Sequence, residues 1–148
     1  MLIQHLKSAD LDALLDLYTH LHAADTPVPR RSIVESVWQQ LVNDPAYRYY
    51  GGYVGEALVC SCILAIIPNL TRGCQSYGVI ENVVTHRQHR RQGFGKAILR
   101  RALDEAWSAG CYKVMLLTGR KDEATFRFYE SVGFNRHEKQ AFIAKPAA

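Results

Sequence analysis

Arg90-Arg91-Gln92-Gly93-Phe94-Gly95-Lys96 stands between a strand-like run that ends at Thr85 and a strongly periodic helix that ends near Gly110. Two glycines two apart, flanked by cations at the mouth of a helix, make a seat for a diphosphate. The first N–H groups of a helix have no acceptor within it, and the helix dipole favours negative charge there. Glycine lets the main chain come close to the anion. The ordinary alternative is a cationic helix start facing solvent.

Working outward, the hydrophobic period places the other elements. Leu2 to Leu6 reads as a first strand. Leu11, Leu14, Leu15, Tyr18 and His22 share one helix face, with Ser8 or Asp10 as cap, and Asp25 to Pro29 breaks it. Val34, Val37, Trp38, Leu41 and Val42 form a second stripe, ended by Asn43-Asp44-Pro45. Arg48 to Val54 and Ala57 to Ile67 read as strands joined in a hairpin at Gly55-Glu56. Pro68 to Gly73 is a loop and Tyr77 to Thr85 a strand.

Past the glycine loop, Ile98, Leu99, Ala102, Leu103 and Ala106 line one helix face, and Gly110 closes that helix. Tyr112 to Thr118 is a strand. Asp122 to Val132 is a helix with Thr125, Phe128, Tyr129 and Val132 on one side, stopped by Gly133. Asn135 to Ala144 is strand-like, as one strand or two short ones, and Lys145 to Ala148 is expected to fray. The order is β-α-α-β-β-β-α-β-α-β. The crossover from Thr85 to Tyr112 makes two neighbouring parallel strands of right-handed connection, and the hairpins before it are antiparallel. The fold class is α+β, a mixed sheet with helices on both faces.

Composition narrows the function classes. The 148 residues suit one domain, 1–148, able to bury an ordinary core. No run of eighteen apolar residues is present, so no membrane span is expected, and Met1-Leu2-Ile3-Gln4-His5 does not begin a secretory signal. Four cysteines, Cys60, Cys62, Cys74 and Cys111, include no C-x-x-C pair, which suits free thiols and a reducing, cytoplasmic setting. The net charge of +4 is modest, but His86 to Lys96 carries Arg87, Arg90, Arg91 and Lys96 with no acid. Such a run serves nucleic acid or a small polyanion. No nucleic-acid motif accompanies it, so the small polyanion is expected. His20-x-His22 and His86…His89 lack metal-site spacing, and no metal is expected.

Three phosphate-binding devices place glycines before a helix. The P-loop fails, because Gly93 and Gly95 are two apart and Ala97 follows Lys96. The dinucleotide fingerprint fails, because its third glycine position is Ile98 and several strands precede it. The third, R/Q-x-x-G-x-G/A, is met at every fixed position by Arg90 to Gly95. Glu81-Asn82-Val83-Val84-Thr85 precedes it, and Phe128-Tyr129-Glu130-Ser131-Val132-Gly133-Phe134 gives F-Y-x-x-x-G-F downstream. On these residues the chain resembles the GNAT superfamily of acyl-CoA-dependent N-acyltransferases. The resemblance covers the element order throughout and is specific in motif from about Tyr77 to Phe134. Gly110-Cys111-Tyr112-Lys113-Val114 and Ile80-Glu81-Asn82-Val83 are similar to glucosamine-6-phosphate N-acetyltransferases. Asp44-Pro45 before Arg48-Tyr49, and Phe134 to Phe142, are similar to aminoalkylphosphonate N-acetyltransferases.

The resemblance implies a mostly antiparallel sheet of six to seven strands with a central parallel pair. It implies acetyl-CoA as acetyl donor, its pyrophosphate on the N–H groups of Arg91, Gln92, Gly93, Phe94, Gly95 and Lys96, with charge added by Arg90, Arg91 and Lys96. It implies a bulge in the strand carrying Glu81 and Asn82, and a parting from the next strand that exposes Val83 and Val84 to the pantetheine arm. The Val83 N–H then polarises the thioester carbonyl.

Aminolysis of a thioester needs a neutral amine, so a base is required; Glu81 is the candidate, directly or through water. The alternative for Glu81 is an acid in a local ion pair or turned to solvent. Asn82 orients the amine, the carbonyl or a water, or else serves the bulge. Tyr129 donates a proton to the leaving thiolate, or else is core. Two positions depart from the family pattern: Asp122 stands where Asn is usual and Thr125 where Ala is usual, so Asp122 is read as a helix cap.

The resemblance implies an amine acceptor, expected to be a small molecule; small amine, aminosugar phosphate, aminophosphonate, antibiotic, polyamine and protein terminus all stay open. Thr26, Arg30, Arg31, Asn69, Thr71 and Arg72 are loop residues able to meet it, or ordinary loop chemistry. A homodimer is compatible with the resemblance. The competing function is a non-catalytic acyl-CoA binding or sensing module on the same fold.

Overall fold

The computed structural model describes all residues, Met1–Ala148. They fall into two compact units, Met1–Leu116 and Leu117–Ala148.

In the first unit five strands lie in sequence order, β1 (Leu2–His5), β2 (Tyr47–Val54), β3 (Ala57–Ile67), β4 (Tyr77–Thr85) and β5 (Val114–Leu116). The first four pair antiparallel, and β4 pairs β5 in parallel. The helices are α1 (Leu11–Tyr18), α2 (Arg31–Asn43) and α3 (Phe94–Ser108).

Strand alternation sorts the core into two faces. On one, Tyr49 and Ile63 pair across β2 and β3 and pack with Leu6, Leu11, Leu14 and Trp38 beneath α1 and α2. On the other, Cys62 donates its thiol to the Ile98 carbonyl at 4.0 Å, and Arg101 lies over the Tyr50 ring. There α3 buries Ile98, Leu99, Ala102, Leu103 and Ala106, the stripe its period predicts. Helices therefore cover both faces, as expected.

Three expectations are corrected. First, α1 stops at Tyr18, short of His22, and neither expected cap serves it. Asp10 turns back instead, accepting from the Lys7 N–H at 2.6 Å and from the Tyr53 hydroxyl at 2.8 Å. Second, the strand Tyr112–Thr118 shrinks to Val114–Leu116, the stretch that meets Gly78–Ile80 of β4. Third, Asn135–Ala144 forms no strand, so the sheet has five strands, not six or seven, and the parallel pair β4–β5 lies at its edge instead of its centre. A strand needs a partner ladder for its N–H and C=O groups. This segment is exposed throughout, with Phe142 at 88% and Ile143 at 68%.

In the second unit α4 (Glu123–Glu130) starts at Asp122, whose carboxylate accepts from the Thr125 N–H at 2.9 Å. That is the cap read from the sequence. Gly133, at φ +106°, ends the turn after α4. Arg136 folds back to pair with Glu123 and Glu130 and lies 4.8 Å from the Phe126 ring centre.

Candidate functional site

β4 carries an irregularity where the sequence interrupts its apolar run with Glu81 and Asn82. Ser61 and Ile63 of β3 are two residues apart, whereas their partners Val84 and Glu81 are three apart. One extra residue is thus inserted in β4, and Asn82 has φ +51°. Asparagine tolerates the left-handed region better than most side chains, so a residue of this kind at a bulge is intelligible from its chemistry.

Directly opposite residues of an antiparallel pair share a face. Glu81, opposite Ile63, therefore belongs to the α1 and α2 face, yet it is exposed. The Asn82 amide meets the Tyr18 phenol at the end of α1, and burial pushes the ionisation of Tyr18 far above its usual range, so the hydroxyl keeps its proton. Tyr18 belongs to the helical stripe and was legible only as core; its neighbour across the bulge is a product of the tertiary fold. Pairing of β4 with β5 ends at Ile80 and Leu116, while β4 runs on to Thr85. Val83 is half-buried and Val84 buried along that stretch.

Beyond β4 the chain makes a short 3-10 turn, Arg87–His89, and reaches α3 through Arg90–Gly93. Arg91 has φ +59° and Gly93 φ +86°. A Cβ on Gly93 would meet nothing, so the glycine is required by its backbone angle and not by crowding. No side chain caps α3. The first-turn N–H groups of Phe94, Gly95 and Lys96 are therefore outside the helix ladder, the first bond of which runs from the Ala97 N–H to the Gly93 carbonyl. Left-handed residues before an uncapped helix start form the main-chain nest that suits an anion.

The side chains of this loop divide. Arg91 is exposed and Lys96 half-exposed, and neither is engaged in an ion pair. The Gln92 amide donates to the Gln88 carbonyl at 3.0 Å, which leaves its main chain as the part facing outward chemistry. Arg90 donates from Nε to the Thr85 carbonyl at 3.1 Å and from Nη2 to the His20 carbonyl at 2.8 Å.

Beneath the helix start sits a thiol. Cys60 donates to the Phe94 carbonyl at 3.8 Å, is fully buried, and burial pushes its thiol up to about 11. A thiol held that far above neutrality is no nucleophile. Cys62 is shifted up more strongly still, and all four cysteines are free, as their spacing suggested.

Among the loop residues, Arg31 is taken up by Asp12 and Glu35, and Arg72 lies over the Tyr112 ring. Asn69 and Thr71 hydrogen-bond each other. Thr26 donates its main-chain N–H to Asp25. Arg30, exposed just before α2, has its charge uncommitted. In the second unit Tyr129 is half-buried on α4, its ring 4.9 Å from that of Phe128 and 6.2 Å from that of Phe134. No group of three or more His, Cys, Asp or Glu side chains is placed to hold a metal ion.

Comparison with known proteins bears on this arrangement. Residues 12–134 match the acetyltransferase (GNAT) family. A protein of Trypanosoma brucei brucei named glucosamine 6-phosphate N-acetyltransferase is 36% identical over 143 residues, covering 91% of this chain and 89% of that one. The solved structure of a putative acetyltransferase from Agrobacterium tumefaciens superposes with a TM-score of 0.90 at 35% identity, over 98% of this chain and all of that one. Glucosamine-6-phosphate N-acetyltransferase from Arabidopsis thaliana, at 20% identity, shares the fold with a TM-score of 0.82 over 98% of this chain and 97% of that one. The glycine loop after a bulged strand and the extent of these matches lead to one assignment: the chain belongs to the acetyltransferase (GNAT) family.

Proposed function

We propose that the protein transfers the acetyl group of acetyl-CoA to the primary amine of a small molecule, by direct attack within a ternary complex. The observation that carries this is the loop from Arg91 to Lys96: two left-handed residues open an uncapped helix, with Arg91 and Lys96 uncommitted beside it. It fits a diphosphate, and acetyl-CoA brings one together with a thioester. Val83 and Val84 lie on the part of β4 beyond its pairing with β5, where main-chain groups are available to the pantetheine arm.

Glu81 serves as the base that takes a proton from the substrate's ammonium, directly or through water, and leaves the neutral amine that attacks. It is exposed to solvent, so an amine can reach it, and it stands beside the bulge. Asn82 orients the amine or the carbonyl. The freed nitrogen attacks the thioester carbon, the C–S bond breaks, CoA leaves as thiolate, and the new amide nitrogen gives its remaining excess proton to solvent. Tyr129 is assigned the proton for that thiolate on the strength of the F-Y-x-x-x-G-F signature. A phenol is protonated at neutral pH. Cys60 and Cys62, the thiols packed under α3, do not supply an acyl-enzyme, because both are buried with raised ionisation.

Among acceptors, an aminosugar phosphate is the first candidate, from the 36% identical relative. Arg30 is the cation left to meet its anionic group. The test is a panel of amines, glucosamine 6-phosphate included, with release of free thiol as readout. Thiol release that depends on one amine supports the proposal. Binding of acetyl-CoA with no release for any amine would leave a non-catalytic acyl-CoA binding module instead.

A further inference from the structure

We infer that Arg90 is a positioning residue, a brace that fixes the end of α1 to the exit of β4 and so sets the start of the anion loop, and not a ligand of phosphate. The inference presupposes that the loop from Arg91 to Lys96 seats the donor's diphosphate.

Arginine carries five N–H donors in a rigid plane, so it can hold two acceptors in a fixed relation. Here one edge of that plane is spent on main-chain carbonyls. Nε donates to Thr85, the last residue of β4, and Nη2 to His20, in the turn after α1, 70 residues away in the chain. The carbonyls of Asp16, Leu17 and Tyr18, which end α1, accept from the N–H groups of Thr19, His20 and Leu21, and the helix dipole at that end favours a cation. Arg90 donates to the carbonyl of His20, just past the helix, and so ties the turn after α1 to the exit of β4.

A row of rings runs beside the brace. His20 and His86 lie 4.0 Å apart between ring centres, His86 and His89 5.6 Å, and His89 and Phe94 5.9 Å. Phe94 is the first residue of α3, so the row joins the end of α1 to the start of the helix that bears the anion loop. His86 Nδ1 accepts from the Gln88 N–H at 3.2 Å, which puts its proton on Nε2. His20 Nδ1 is buried without a partner. The row holds by packing, with the guanidinium as its one charged tie to main chain.

The turn after α1 leads into Asp25–Arg31, and Arg90 itself opens the anion loop. A brace here sets donor and acceptor sides relative to each other within the first unit. Lysine cannot replace it: its ammonium is a point donor on a flexible stem and cannot span two carbonyls in one plane.

Calorimetric affinity for CoA at several ionic strengths separates brace from ligand. Removing a cation that contacts phosphate flattens the salt dependence of binding. We expect Arg91→Gln to weaken affinity and flatten that dependence. Arg90→Gln should weaken affinity by about tenfold, in line with the loss of charge-assisted hydrogen bonds, with the salt dependence kept. Arg90→Lys should behave like Arg90→Gln. Near-native affinity in Arg90→Lys, or a flattened salt dependence in Arg90→Gln, overturns the brace. A second readout needs no ligand: amide exchange in residues 19–24 should quicken in either Arg90 variant, and unchanged exchange there also overturns it. If CoA fails to bind the unaltered protein while residues 19–24 respond as expected, the diphosphate seat is what fails, and the brace stands.

Discussion

Asn82 concentrates the local chemistry of the first unit in one backbone angle. At φ +51° a β-branched or alanine side chain is strained, whereas glycine is not. Two variants therefore separate backbone from amide. Asn82→Ala should lose stability by about 1 kcal/mol through strain at the bulge, and Asn82→Gly should lose far less. If Asn82 also orients the reactants, Asn82→Gly keeps the fold but loses turnover, read from kcat beside urea melts. Equal stability of the two variants would mean that the bulge does not depend on the left-handed angle.

His20 gives a second prediction at this scale. Burial lowers its ionisation, and His86, Arg87 and Arg90 lower it further. The unfolded chain then binds more protons than the folded one once the pH drops below about 6.5. The stability from the neutral ring is thus complete above that value and is lost as the pH falls through the depressed folded value. Urea melts at a series of pH values should show this fall, and His20→Leu should make it shallower. An unchanged slope in His20→Leu would remove His20 from the cause. The sequence offered His20 only as half of a His-x-His pair. Its ring neighbour and its buried nitrogen depend on how α1 meets the exit of β4.

Among the elements, the boundary between β4 and α3 was the most legible. Apolar strand, glycine pair and amphipathic helix each carry a local signal, and the structure places all three where those signals put them. Gly93→Ala tests the element directly. At φ +86° the new Cβ meets no neighbour but does meet its own backbone, so a cost of about 1 kcal/mol is expected. The Michaelis constant for acetyl-CoA should rise with it; an unchanged constant would say that the left-handed turn does not shape the donor seat. Other elements were illegible for a physical reason. Asn135–Ala144 has strand composition, but a ladder is a relation between two segments, and no local pattern reports whether the second is present. Arg90 was legible as a cation. That its donors go to Thr85 and His20 follows from a contact across 70 residues.

For the molecule as a whole, the five-stranded sheet with helices on both faces makes α3 the support of the loop it begins. Leu99 is wholly buried, along with Ile98, Ala102 and Ala106. Leu99→Ala should cost about 2–5 kcal/mol, the usual range for a leucine removed from a core. Chemical denaturation measures it, and a loss under 1 kcal/mol, well below that range, would mean that α3 is not seated as described. Because the loop is built on α3, affinity for CoA should decline in the same variant.

The account as a whole stands on direct transfer from acetyl-CoA to an amine at the bulge of β4. Initial rates should be measured with both substrates varied, using the amine that releases thiol in the panel, with the acetylated amine identified by mass. The expected pattern is a set of intersecting reciprocal plots, one acetylated amine per CoA released, no acetylated protein, and a fall in kcat on the order of a hundredfold or more in Glu81→Gln with CoA affinity retained. Parallel plots with an acetylated protein, or turnover undiminished in Glu81→Gln, would contradict it.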